Sequence, residues 1–568
     1  MIPGPFKTVS TKTTTASSNT KFFTFSSSEL SAVPAGSKHL VILFSCKPVS
    51  GVNDNSQHLS MTFNGDKNGQ AGSGDYNYAY LVEHMTGESG SATCSGGGAG
   101  TGITLGNMGL TVADYNFSTG IIIIPHYSNT ANHKTGLCYF GRLNTRLRVT
   151  TWRYISTAAI TQLTFGIPDG SFANGTFEAG STVTLAVMDE DYNVGTADIS
   201  STGTATFSGI SGSNEDLVMI GYGRGNGSYT ADSLYMDING DSSAANRQAE
   251  RLSGTFVTLS GEFGNANRVG TTLGNSSQAN AFAPFALVIQ QYADSGSTYP
   301  HIMAFSGQHY DGSTVQGSVN ATIEVDSVVW KNTSAITTLQ PYSGSSSGKQ
   351  WIAGSYISLY KLPRNRILNH DLGSPALVLG GSLSSTDNDA IAGSYYAASN
   401  APNNDNPRYE VNDDSSNHSR QGLQASAGSV SAFSDSENNI GQTSTAGYGA
   451  QVYTGGPLVI VQPHKTDRYK NTLVASGIPY YSVHGNTPVL WLISNRWANT
   501  ASITKIELNG YYGDQWKSGS QIQIEGVETA PVTLATSGFF FRFMSIAAPT
   551  VGLAAASSYL SWLTSVSA

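Results

Sequence analysis

One residue pattern recurs three times along the chain, and it constrains the fold more than any other feature. It reads Tyr154, Ile160, Phe177, Gly180-Ser181, then Trp330, Ile336, Trp351, Gly354-Ser355, then Trp497, Ile503, Trp516, Gly519-Ser520. Each time an aromatic stands six residues before the Ile and another stands three before the Gly, and the three glycines are 174 and 165 residues apart. A second marker upstream keeps the same period: Phe63-Asn64-Gly65-Asp66, Ile238-Asn239-Gly240-Asp241 and Val411-Asn412-Asp413-Asp414, with Asn spacings of 175 and 173. Between them lies an apolar run near an aromatic or His: residues 121–124 then Tyr127, 285–289 then Tyr292, and 458–461 then His464. Each unit opens on another apolar run, at residues 40–43, 217–220 and 376–379.

These markers read as strands. Residues 355–359 and 520–525 alternate with period two, as does the stretch after each marker Ile, and the Gly/Ser/Asn-rich segments between them suit hairpin loops. Asn-Gly and Asn-Asp supply the left-handed positions that a tight turn needs. Units of about 170 residues built from short strands and turns are expected to be all-β, three tandem jelly-roll-like sandwiches. The expected layout is an N-terminal arm (1–19), repeats at 20–191, 192–364 and 365–529, and an apolar C-terminal docking segment (530–568). The Thr/Ser/Lys-rich arm is expected to stay loose or to lie as an extra strand on a neighbour. Unit three reads as carrying an insertion around residues 391–406, expected to be a surface loop.

Charge narrows the partners. With 29 Lys and Arg against 38 Asp and Glu, the net charge is −9 and no basic cluster reverses it, so nucleic acid is not an expected partner. Only 12% of residues are charged while 63 are Gly, which argues against a helical enzyme. Cys46, Cys94 and Cys138 have neither zinc spacing nor an even count, and read as small buried hydrophobes of a protein made in a reducing compartment. The N-terminus lacks the apolar core of a secretory signal, which disfavours an exported adhesin. The C-terminal stretch 539–568 is interrupted by Arg542 and Pro549 and is too short an apolar run to span a membrane.

Motifs for chemistry are sparse, and no catalytic residue or cofactor is expected. The G-x-S-x-G match at 344–348, centred on Ser346, lies in a hairpin loop and lacks the strand-to-helix setting of a nucleophile elbow. His126, His133, His301 and His464 have no ligand spacing. Calcium candidates are Asp237 and Asp241, and Asp413 and Asp414, with Asp189, Glu190 and Asp191 in a further acidic group; turn formation explains the same residues. The aromatics Tyr154, Trp330, Trp497, Phe177, Trp351 and Trp516 read as core packing, with sugar stacking the alternative.

The segment from Ser156 through Gly180-Ser181 to Leu185, its counterparts at 336–359 and 503–524, and the stretch Ala281-Phe282-Ala283-Pro284-Phe285 resemble the repeat of tandem jelly-roll virion structural proteins of tailed, marine-type bacteriophages. Tyr154, where Trp is usual, departs from that repeat. The resemblance implies a non-enzymatic virion component on head or tail, without cofactors, assembled in the host cytoplasm alongside other virion proteins and forming a homo-oligomer. Two other expectations stay open: a receptor-binding fibre or spike that recognises host-surface glycans, and a secreted carbohydrate-binding adhesin.

Overall fold

The computed structural model describes residues 3–528, apart from 16–19, 50–57, 67–75, 87–88, 99–101, 108–114, 143–145, 167–175, 213–215, 256–257, 294–295, 297, 310–320, 345–347, 363–366, 385–387, 402–405, 446–450, 480–486 and 511–513. The C-terminal segment and Ser346 lie outside the described residues. The chain divides at residues 530/531.

Alternating and continuous apolar runs become strands, twelve of them among the described residues of the first module. They are β1 (Phe6–Thr13), β2 (Phe22–Phe25), β3 (Leu40–Cys46), β4 (His58–Phe63), β5 (Tyr76–Thr86), β6 (Ser89–Gly98), β7 (Ile103–Asn107), β8 (Ser118–Ile124), β9 (Lys134–Arg142), β10 (Arg146–Tyr154), β11 (Leu163–Gly166) and β12 (Thr182–Met188). A large sheet runs β1-β12-β3-β8-β9-β10-β5-β6 and a small one β2-β11-β4-β7. Setting aside the hairpins β5–β6 and β9–β10 leaves β1-β12-β3-β8 facing β2-β11-β4-β7, the double Greek key of an eight-stranded jelly roll. The two extra hairpins lengthen one sheet past β8.

The large sheets of the other two modules repeat this order, while the small sheet has four described strands in module two and three in module three. In the second, the large sheet runs Asn193–Asp198, Tyr356–Lys361, Leu217–Gly223, Ala283–Gln290, His301–His309, Ala321–Trp330, Arg247–Thr255, Thr258–Gly264. In the third it runs Leu368–Asp371, Gln521–Glu528, Asn388–Ala397, Thr454–Val461, Lys470–Ile478, Val489–Trp497, His418–Ser426, Ser429–Asp435. The chain is all-β with three sandwich modules.

Four expectations need correction. The arm is neither loose nor on a neighbour: β1 pairs with β12 of its own module, Phe6 opposite Met188 and Thr13 opposite Thr182, so repeat one begins near residue 6. As a sheet edge it is only half buried, which is why its sequence looks like a polar tail. The run at 376–379 is not the opening strand of unit three, for Leu377 is 54% exposed and Val378–Ser382 is an edge strand paired with Lys505–Asn509. The core strand is instead Asn388–Ala397, buried throughout, so residues 391–397 of the supposed surface insertion lie at the centre of a sheet. Finally, Pro463 and not His464 matches Tyr127 and Tyr292, since their carbonyls accept from Ile503, Ile160 and Ile336 respectively.

The inner strands of each large sheet are buried on both faces, which explains apolar runs that do not alternate. In β3, Leu40, Ile42 and Phe44 face the sandwich core with Phe63, Trp152 and Phe177. Val41 and Leu43 point the other way, into a core shared with Val218 and Ile220 of module two and Ala390 and Ala392 of module three. Among the described residues the large cores are one per sandwich and one among all three, with smaller clusters such as Tyr222, Phe282 and Tyr356 beside them.

The shared core has cyclic order. Equivalent amides cross each seam: His133 to the Asn280 carbonyl (2.9 Å), Tyr299 to Gln451 (3.0 Å) and Tyr469 to Tyr115 (2.9 Å). These link module one to two, two to three and three to one. Strand β9 and its two counterparts touch pairwise, as do β6 and its counterparts. Strand levels are therefore stacked along a pseudo-threefold axis, and the large sheets form the walls of a triangular prism about 34 Å long at the usual strand spacing.

Candidate functional site

The two main sequence markers share a period because they are halves of one contact. Asn64, Asn239 and Asn412 sit in left-handed turns, with φ of 55°, 52° and 52°. Each Oδ1 accepts from the amide and hydroxyl of the Thr after the marker Ile (Thr161, Thr337, Thr504) and from the next amide. Each Nδ2 donates to a carbonyl just before that Ile, at Ala159, Ala335 and Ser502. The side chain ties the turn to the neighbouring strand, with Oδ1 serving three donors and Nδ2 one carbonyl.

The aspartates named as calcium candidates are engaged in the same region. Asp241 Oδ2 accepts from Trp330 Nε1 at 2.8 Å, and Asp414 Oδ2 from Trp497 Nε1 at 2.9 Å. Partial burial would raise both carboxyls, but donors from Trp330, Ser243 and Asn246, and from Asn417, Ser416 and Trp497, outweigh it and hold both below their ordinary range. Asp413 pairs with Lys505 at 2.6 Å, and Asp237 pairs with Lys349. In module one Tyr154 stacks on Tyr76 at 4.8 Å instead, and the Tyr76 hydroxyl accepts from the Phe63 amide. Among the described residues no three His, Cys, Asp or Glu gather as metal ligands.

The second set of aromatics is buried. Trp351 and Trp516 are 0% exposed and donate from Nε1 to the Pro341 and Leu508 carbonyls, each at 2.9 Å; Phe177 is buried likewise. Gly180, Gly354 and Gly519 turn the chain at φ of 84°, 94° and 88°. The following Ser181, Ser355 and Ser520 each accept from an amide across the turn, at Lys47, Arg224 and Ala398. None of these aromatics offers a face to a sugar.

Two of those turn glycines also receive a neighbouring module. Asn132 donates to the Gly354 carbonyl at 2.9 Å, and Arg468, at the equivalent position of module three, donates to the Gly180 carbonyl at 2.5 Å. Arg468 also donates to Ser45 Oγ at 3.1 Å and lies 4.1 Å over the Phe117 ring. Nearer the axis, a Cβ on Gly141 would fall 2.6 Å from Ser494 Oγ, on Gly307 2.4 Å from Thr151 Cβ, and on Gly477 2.3 Å from Ser327 Oγ. These are three equivalent glycine-to-hydroxyl contacts, one at each seam.

The histidines belong to this packing. His126 lies 3.1 Å from the Tyr222 hydroxyl, and His301 lies between Gln290 (2.9 Å) and Ser327 (2.8 Å). Burial pulls His126 and His133 down to about 4 and His301 to about 3, so all three are neutral near pH 7. His464 Nδ1 is 2.6 Å from the Asn388 carbonyl. Cys46 and Cys138 are buried reduced thiols, pushed up strongly by burial.

A charged cluster inside module two escaped sequence reading. Arg251 donates to Asp326 at 2.6 Å and to Glu262 at 2.5 Å, lies 3.6 Å from Glu324, and Glu324 also pairs with Arg268. Burial raises both acids, and the guanidinium groups offset it only in part. The readable signal was two acids either side of a valine in a wholly buried strand, Glu324-Val325-Asp326. In module three Arg420 fills the corresponding space, 4.9 Å from the Phe433 ring and 5.1 Å from Trp491, with Asp435 at 2.8 Å. The arginines thus offset part of the cost of burying these carboxylates within the sheet.

The sequence matches no known family model and no curated protein. Among solved structures, domains LG4-5 of the mouse laminin alpha1 chain match at 9% identity over 64% of this chain and 92% of that one, with a TM-score of 0.14. The outer membrane channel DcaP of Acinetobacter baumannii matches at 10% identity over 80% and 96%, with a TM-score of 0.10.

Proposed function

We propose that the chain is a non-enzymatic structural protein of a tailed-bacteriophage virion, attached to head or tail and exposing loops outward. The observation that carries this reading is the use made of the repeated residues: the Asn, Trp and Gly markers are all spent on turns, sheet closure and seams. Jelly rolls closed around a shared core supply a rigid body with variable loops, which suits a particle component. Its partners are other virion proteins, reached through residues 530–568, and further copies of itself. Cryo-EM of whole particles tests the reading by locating the chain. Deleting residues 539–568 should abolish incorporation, and normal occupancy after deletion removes the docking role.

The alternative, a receptor-binding fibre or spike, draws on the threefold geometry that such proteins use. A glycan array probed with the intact protein separates the two: specific retention favours the spike.

A further inference from the structure

The three seams are alike in geometry but not in covalent support. Modules one and two are joined by four residues between Met188 and Asn193, and modules two and three by six between Lys361 and Leu368. Short linkers let those seams part only by roughly 3.5 Å per residue and hold their surfaces at high effective concentration. The seam between modules three and one has no such linker. Among the described residues it also carries an extensive polar clasp. At the position where module one has Asn132 and module two has Thr298, module three has Arg468, 1% exposed, gripping the Gly180 carbonyl, Ser45 and the face of Phe117. Beside it Asn471 donates to the Phe117 carbonyl at 2.5 Å, Arg496 to Asn116 at 2.8 Å, and the Tyr139 hydroxyl to the Val474 carbonyl at 2.9 Å.

We propose that the seam between modules three and one is the gate of the ring and that Arg468 is its latch. Opening there swings module three away from module one by hinging at the seam between modules two and three, without separating the linked modules, and bares the shared core. Arginine suits the task because its planar fork serves the Gly180 carbonyl and Ser45 across the seam and Asp467 on its own side while its face stacks on a ring, which neither Asn nor Thr can do. The inference is independent of the virion reading.

The three glycine contacts supply matched probes. Single variants Thr151→Cys, Ser327→Cys and Ser494→Cys of the full chain each place a thiol at one seam, and its rate of maleimide labelling, followed by peptide mass spectrometry, reports opening. Arg468→Ala should speed labelling at position 494 by about tenfold or more, the scale of losing a buried charge-assisted hydrogen bond, and leave 151 and 327 within about twofold. Asn132→Ala should not produce a comparable change at 151. Arg468→Lys, which keeps the charge but loses the fork, should give an intermediate rate at 494, and it serves if the alanine variant does not fold. Equal acceleration at all three probes, or none at 494, overturns the proposal.

Discussion

The two faces of each large sheet solve different packing problems. Toward the sandwich, the gap between sheets is filled by large rings: Trp152 with Phe63 and Phe165 in module one, Trp330 and Trp351 in module two, Trp491, Trp497 and Trp516 in module three. Toward the axis the shared core has no Trp among the described residues and consists mainly of Val, Ile, Leu and Ala. There the walls approach until glycine backbone meets a hydroxyl. A sandwich core is stabilised by volume, whereas the axial core is stabilised by close fit, so the first should suffer most from removing atoms and the second from adding them.

The largest effect should come from Trp351→Ala, which empties a sandwich and strands the Pro341 carbonyl. A loss of about 3–5 kcal/mol in denaturant unfolding is expected. Next, Gly307→Ala should cost about 1–3 kcal/mol through overpacking against Thr151, and adding Thr151→Gly should restore part of it. An unchanged midpoint for Gly307→Ala would mean the walls are not in close contact. A smaller effect concerns Glu250, buried near the Gly428 turn of module three, where burial lifts its carboxyl to about 8 against 4.5 when unfolded. The raised folded value means stability declines as pH rises from 4.5 and the deficit is complete above 8. Glu250→Gln should flatten that slope in melting curves taken from pH 5 to 9. The smallest is Asp414→Asn on the outer turn. Its lowered carboxyl contributes stability above the unfolded value that fades as pH falls below about 4, so the variant should lose stability at pH 7 and show less acid sensitivity.

Repeats, strands and turns were legible because a marker such as Asn239 or Trp351 performs a local task that few other residues can. The shared core was signalled only indirectly, by runs such as Ile121-Ile122-Ile123-Ile124 that lack a polar face. β1 was missed because an edge strand needs only half its side chains buried. Asn388–Ala397 was missed because small residues and tyrosines fill a central strand where neighbours crowd it: a Cβ on Gly393 would lie 2.1 Å from the Gln523 carbonyl oxygen. The seams were out of reach, since Arg468 and Gly180 lie 288 residues apart and nothing local marks either as the other's partner.

Closing three modules within one polypeptide changes what a mutation does. In a homotrimer every substitution is written on all three facets at once, so a surface suited to one contact is repeated at the other two. Here Tyr154 can stand where Trp330 and Trp497 stand elsewhere, and Arg468 where another facet has Asn132. Each side of the prism is thus at liberty to drift toward a different neighbour while the axis keeps the body in trimer-like form.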